Sequence, residues 1–257
     1  PEFSRFAWFS MMFGAGIGVG MLTYSTAEPL AHFANNPDVI LGSTTALDPN
    51  NLSAAYKWTL LHYGLTPWGC YAIVGLSLAY FAYKRDMPLT IRSPFTAVLN
   101  ANAGRQVGAV VDAAAILATI IGIGVTIGYG VNQLAFGAYQ ITEWSWLISD
   151  DKPSLLSLAL AVTFLTVAAM LSALSGIGRG IRLLSNLNMA LSWLLLVIFA
   201  VFGATAFAGE MFISGLTAYL REILTMSLTI WSGGETKTAE LLSDWQSAWS
   251  GFYWAWW

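Results

Sequence analysis

Charge is what this sequence has least of: Asp, Glu, Lys and Arg make up 10% of its 257 residues, against roughly 25% in soluble globular domains. A formal net charge of −3 provides neither a basic patch for nucleic acid nor an acidic surface for a cationic partner. Cysteine is almost missing too. The single Cys70 excludes an intrachain disulfide and a thiolate metal cluster, so redox chemistry has no residues to work with, and Cys70 reads as a small core residue. Histidine is nearly as scarce, with only His32 and His62. His62 reads as a polar group packed near a helix end, and no metal site is expected. No cleavage site follows Pro1-Glu2-Phe3-Ser4-Arg5, which lead straight into an apolar stretch. The absence of an initiator Met and the stop inside an aromatic run read as a segment of a longer chain.

What is present is apolar surface. Hydrophobic residues make up 56% of the chain and mean hydropathy is +0.62, which implies an all-α polytopic membrane protein. A hydrocarbon core about 30 Å thick takes roughly 20 apolar residues per helix. Five stretches reach that length, near 6–27, 55–83, 108–139, 155–177 and 186–208, and a sixth starts at 250–257. The segment 210–228 mixes apolar residues with Arg221 and Glu222 and reads as an amphipathic helix over the outer mouth of the bundle, or equally as a peripheral loop. Loop 32–53 reads as an exposed turn. Arg5, then Lys84, Arg85, Arg92 and Arg105, then Arg179 and Arg182 fall on one side of the bundle. Basic residues are retained in the cytoplasm, so the amino terminus is expected inside.

Glycine is concentrated where a helix tolerates it poorly. Gly14, Gly16, Gly18 and Gly20 alternate inside the first stretch, each costing about 1 kcal/mol against alanine in a helix interior. They make either small-residue faces for a close-packed neighbour or a point of unwinding at which freed carbonyls bind a cation and helix ends meet a carboxylate. Gly122, Gly124, Gly128 and Gly130 repeat the pattern in the third stretch, which suggests a translocation pathway. No carboxylate lies at the centre of any stretch, which argues against a proton relay. A cation held there would rest on carbonyl dipoles, hydroxyls or aromatic faces.

Aromatic faces are abundant. Phe252-Tyr253-Trp254-Ala255-Trp256-Trp257 ends the chain, and such a cluster is either a belt at the lipid–water interface or a cation–π site worth about 2 kcal/mol or more when desolvated. Tyr63, Trp68 and Tyr71 form a second group, too widely spread for one stripe of an unbroken helix. Pro67 between them is expected to kink the helix and let Trp68 and Tyr71 face one way.

At this point the chain resembles the betaine/carnitine/choline transporter family. The resemblance is carried by Gly16-Ile17-Gly18-Val19-Gly20, Thr26-Ala27-Glu28-Pro29-Leu30 and Pro67-Trp68-Gly69-Cys70-Tyr71-Ala72-Ile73-Val74-Gly75. It continues through Leu174-Ser175-Gly176-Ile177-Gly178-Arg179-Gly180-Ile181, Leu184-Ser185-Asn186-Leu187-Asn188-Met189 and the terminal aromatic run. It implies a five-plus-five inverted-repeat transporter fold, of which this chain is similar to family helices three to seven, the outer amphipathic helix and the opening of helix eight. It implies further an aromatic box around a quaternary ammonium made by Trp68, Tyr71, Trp256 and Trp257, with Tyr63 standing where many members have Trp. Gly16, Ile17, Gly18, Val19 and Gly20 would serve the substrate carboxylate and the coupling ion.

Gly20, where choline-type members tend to carry Asp as counter-charge for a substrate without a carboxylate, favours a zwitterion such as glycine betaine, with carnitine or choline as the alternatives. Of the two helix-five threonines of sodium-coupled members, this chain has Thr119 but Ile123 one turn later, so Na+ coupling is left open. The resemblance also implies a homotrimer in the cytoplasmic membrane, an osmoprotective symporter and no organic cofactor. The rival classes are a membrane-embedded enzyme, for which no nucleophile, metal cluster or carboxylate pair stands out, and a solute sensor.

Overall fold

The computed structural model describes the backbone of residues 2–16, 19–99 and 101–256, and the side chains there apart from those of 15–22, 101–103, 105 and 250–256. It is helical almost throughout. In chain order the helices are α1 Arg5–Gly16, α2 Val19–Ala34, α3 Pro37–Ile40, α4 Leu52–Tyr63, α5 Leu65–Lys84, α6 Ser93–Val98, α7 Ala101–Thr142, α8 Leu155–Leu174, α9 Arg182–Phe202, α10 Thr205–Leu228 and α11 Lys237–Trp256. A hairpin of two-residue strands, β1 Ile148–Ser149 and β2 Lys152–Pro153, precedes α8. A π-helical turn, Ile177–Ile181, leads into α9.

Among the described residues, four runs are long and apolar enough to cross a membrane: Pro49–Lys84, Gln106–Thr142, Leu155–Leu174 and Ile177–Phe202. Almost none of their apolar surface is buried within the chain. In water that would be untenable, but hydrocarbon accepts it because a helix satisfies its own backbone groups. The all-α polytopic membrane class therefore stands. The first apolar stretch is described as α1 up to Gly16 and α2 from Val19; Ile17 and Gly18 between them lie outside the described residues, as does the side chain of Val19.

The chain divides into two compact units, 1–26 with 124–208 and 27–123 with 209–257. In the first unit α1 lies on α9. A Cβ placed on Gly14 would sit 3.6 Å from Ser185 Oγ and 3.9 Å from Asn188 Nδ2, so at Gly14 the glycine face is a close-packing face. Tyr24 and Tyr129 meet edge to face at 5.7 Å with their hydroxyls 2.9 Å apart, and Gln133 donates to Thr23 beside them. Ser154 caps α8 by accepting from the Ser157 amide at 3.1 Å, which satisfies a donor the helix start leaves open.

The second unit holds the densest core, in which Trp58, Tyr219, Met226 and Trp245 pack together. α10 lies against α4. Ser214 Oγ donates to Ser53 Oγ at 2.8 Å. Lys57, buried, sits 2.8 Å from Glu222 Oε2 and 2.9 Å from Asp38 Oδ2. Asp38 also accepts from the Trp58 indole at 2.6 Å. Tyr219, fully buried, places its hydroxyl 3.0 Å from Thr66 Oγ1 and accepts from the Thr66 amide at 3.2 Å, holding the first turn of α5.

Three local expectations are corrected. Loop 32–53 is exposed only in its middle, over most of 41–50; α2 continues to Ala34, and at the two ends Asn36, Pro37 and Asn51 are buried. The cause is side-chain amide bonding, which lets a polar loop pack. Asn36 accepts from the Val39 amide and donates to Asn51 and to the His32 carbonyl, while Asn51 donates to the Phe33 carbonyl. Pro67 kinks no continuous helix. α4 ends at Tyr63, the Gly64 amide closes its last turn on the Leu60 carbonyl at 2.7 Å, and Pro67 falls in the first turn of α5, where its missing N–H has no partner to lose. In α7 the glycines do not interrupt the helix, which runs unbroken from Ala101 to Thr142. Cβ atoms added at Gly122, Gly124 or Gly128 would meet nothing within 4 Å.

Candidate functional site

α5 brings two of the expected aromatic residues together. Trp68 and Tyr71 are three residues apart, so they share a face of the helix, and their ring centroids lie 5.7 Å apart at 41°. The Trp68 indole N–H donates to the Tyr63 carbonyl at 3.2 Å. Pro67, four residues after Tyr63, has no N–H to offer that carbonyl, which leaves the oxygen for the indole. With its N–H engaged on the backbone, Trp68 has a fixed ring plane. Trp68 is half-buried and Tyr71 is 50% exposed. Tyr63 itself is half-buried at the end of α4.

Of the other expected partners, two lie outside the described residues. α11 carries the backbone as far as Trp256, but the side chain of Trp256 and the whole of Trp257 lie outside the described residues. Thr119 is exposed on α7 with its hydroxyl donating to the Ala115 carbonyl at 2.7 Å, and Ile123 one turn later is 54% exposed. The Thr119 oxygen keeps lone pairs for a cation; the Ile123 side chain offers none.

A second polar cluster was not assembled by the sequence reading. Glu28 and His32, one turn apart on α2, are fully buried, and His62 near the end of α4 is 5% exposed. His32 Nε2 lies 3.1 Å from Glu28 Oε1, and His62 Nδ1 contacts the same oxygen. The indoles of Trp245 and Trp249 on α11 cover the two imidazoles, with Trp249 centred 4.5 Å from His32 and 5.7 Å from His62. The Glu-x-x-x-His spacing at 28 and 32 was the one signal available in the sequence. His62 is 34 positions from Glu28, and only the fold joins them.

Comparison with known proteins decides the relationship. Residues 1–257 match the family described as "BCCT, betaine/carnitine/choline family transporter". The chain belongs to that family. It is 34% identical over 258 residues to the glycine betaine transporter OpuD of Bacillus subtilis and 37% identical over 258 residues to the betaine/ectoine transporter LcoP of Corynebacterium glutamicum. It is also 34% identical over 258 residues to the high-affinity choline transport protein of Escherichia coli K12. Each alignment takes in all of this chain but only 47%, 39% and 35% of those relatives respectively, so the chain spans less than half the length of the family members it matches. These relatives are named as transporters, and none as an enzyme.

Proposed function

We propose that this chain is part of a secondary active transporter that carries a quaternary ammonium solute, glycine betaine foremost, across the cell membrane by alternating access. What supports the reading is family membership together with one local observation: the indole of Trp68, pinned by the Tyr63 carbonyl 3.2 Å away, stands beside Tyr71 on α5. A trimethylammonium group has no N–H to donate, so hydrogen bonding cannot select it. Ring faces can, at about 2 kcal/mol or more per desolvated ring.

In this proposal Trp68 and Tyr71, with Trp256 and Trp257, hold the cationic head, and Tyr63 fixes Trp68 through its backbone. Gly16, Ile17, Gly18, Val19 and Gly20 offer backbone to the substrate carboxylate and to the ion. Glycine rather than aspartate at position 20 leaves no fixed counter-charge, which suits a zwitterion. Choline or carnitine is the alternative, because the choline transport protein matches this chain as well as the betaine transporter does, at 34% identity each. Thr119 is the one hydroxyl proposed for Na+. The inverted repeat, the trimer and an inward-facing amino terminus belong to the same proposal, the last resting on the placement of seven of the eleven basic residues.

The test is uptake of radiolabelled glycine betaine by the full-length protein in a host lacking its own carriers, with choline, carnitine and ectoine as competitors. Trp68→Leu removes one ring face and is expected to weaken apparent affinity roughly 30-fold, the equivalent of about 2 kcal/mol, and Trp257→Leu to reduce accumulation. Unchanged uptake in both variants contradicts the aromatic site, and choline preferred over betaine contradicts the reading of Gly20.

A further inference from the structure

We propose that Glu28, His32 and His62 form a binding site for a divalent transition cation of the zinc class, which joins α2 to α4. The site shares no residue with the solute site proposed above and does not depend on it. One donor atom from each of the three residues lies within 4.8 Å of the others. Two imidazoles and one carboxylate are a known zinc set that keeps a fourth position open, with metal–ligand bonds of roughly 2.0–2.2 Å. Tetrahedral bonds of that length put ligand atoms roughly 3.3 Å apart, and His32 Nε2 is already 3.1 Å from Glu28 Oε1. His62 Nδ1, in closer contact with that oxygen, has only to withdraw slightly to admit an ion. Imidazole nitrogens select zinc, cobalt, nickel or copper over the oxygen-seeking magnesium and calcium.

Three further features point to an occupant. Glu28 Oε2 is buried and has no hydrogen-bond partner among the described residues. A carboxylate that spends one oxygen on two imidazoles and leaves the other dry and unbonded is an unsatisfied ligand. A cation takes both oxygens or turns the free one toward itself. The second feature is preorganisation: Asn36 donates to the His32 carbonyl at 2.6 Å and Asn51 holds the next carbonyl, Phe33, at 2.7 Å, fixing the turn of α2 that carries His32. The third is enclosure. Trp245 and Trp249 roof both imidazoles, and the residues beneath are buried, which excludes competing water.

Without a cation, the same atoms form a carboxylate bridged by hydrogen bonds to two imidazoles. Metal content separates the two. The full-length protein, purified in detergent without a histidine tag, is stripped with chelator, incubated with Zn2+, desalted and assayed by mass spectrometry. A parallel sample is loaded with Co2+ and its visible absorption recorded. Retention of one zinc per chain, with the intense ligand-field bands of a four-coordinate Co2+ site, is the expected result. Glu28→Gln and His62→Gln, each close to the native side-chain volume, are expected to lower zinc affinity at least about ten-fold. Absence of stoichiometric zinc in the wild-type protein overturns the proposal whether or not the variants fold. Zinc retained equally by folded variants overturns it as well, since the ion is then bound elsewhere.

Discussion

Replacing Gly215 by alanine should loosen the contact between α10 and α4 despite alanine's better helix propensity. A Cβ at Gly215 would collide with Tyr56 Cβ, and the Tyr56 carbonyl carbon and Lys57 nitrogen lie 3.4 and 3.5 Å away. The obstacle is the root of a side chain and its backbone, so no rotamer change relieves it; the helices must separate. Overpacking of this kind costs about 1–3 kcal/mol. Separation also strains the neighbouring bonds on that face, Ser53–Ser214 at 2.8 Å and Lys57–Glu222 at 2.8 Å, and losing one adds about 1 kcal/mol. Against this, alanine gains about 1 kcal/mol in helix propensity. The net is a destabilisation of about 2 kcal/mol.

Gly209 supplies the control, because it lies on the same helix and an added Cβ meets nothing within 4 Å. Gly209→Ala should be neutral or stabilising by up to about 1 kcal/mol. Identical chemical changes six residues apart are thus expected to shift stability in opposite directions. Thermal unfolding of the detergent-solubilised protein, followed by size-exclusion chromatography after heating, reads the difference. Gly215→Ala as stable as wild type, or both variants shifted the same way, refutes the packing argument.

Two other substitutions probe separate contacts in the same assay. Lys57→Met removes the buried ammonium between Asp38 and Glu222; a fully enclosed pair would lose about 3–5 kcal/mol, but the Glu222 side chain is 49% exposed, so about 1–2 kcal/mol is expected. Asp38→Asn should cost more than Glu222→Gln, because Asp38 also accepts from Trp58, and the reverse order would contradict that assignment. Gly176 has φ +80° and ψ 171°, a region open essentially to glycine alone, so Gly176→Ala should destabilise by about 1–3 kcal/mol although its surroundings are empty. Gly178→Ala, also in open space and without a positive φ, should change stability by only tenths of a kcal/mol. Equal effects at the two positions would remove backbone strain as the cause.

Apolar run length and the shortage of charge were enough to give an all-α membrane protein, because the hydrocarbon thickness sets a helix length that any sequence must meet. The ordered glycine and aromatic motifs were enough to place the chain in its transporter family. Trp68 and Tyr71 do meet, though without the expected kink at Pro67: three residues apart on one helix, they share a face. Where the reading went astray, the deciding interactions ran between segments. Pro67 looked like a mid-helix kink because nothing local announced that Gly64 ends α4 first. The two ends of the polar stretch 32–53 looked exposed because the amide bonds that bury them, Asn36 with Asn51 and Asn51 with the end of α2, join positions 15 to 19 residues apart.

The Glu28–His32–His62 cluster shows the same division. Periodicity alone sets His32 beside Glu28, four residues along one helix face. The arrival of His62 from α4 and of Trp245 and Trp249 from α11 depends on how separate helices pack, and residue spacing does not encode that. Sequence determined which solvent surrounds this protein and which residue types were available; tertiary packing decided which of them share a carboxylate, because burial and distance are properties of assembled helices and not of any one of them.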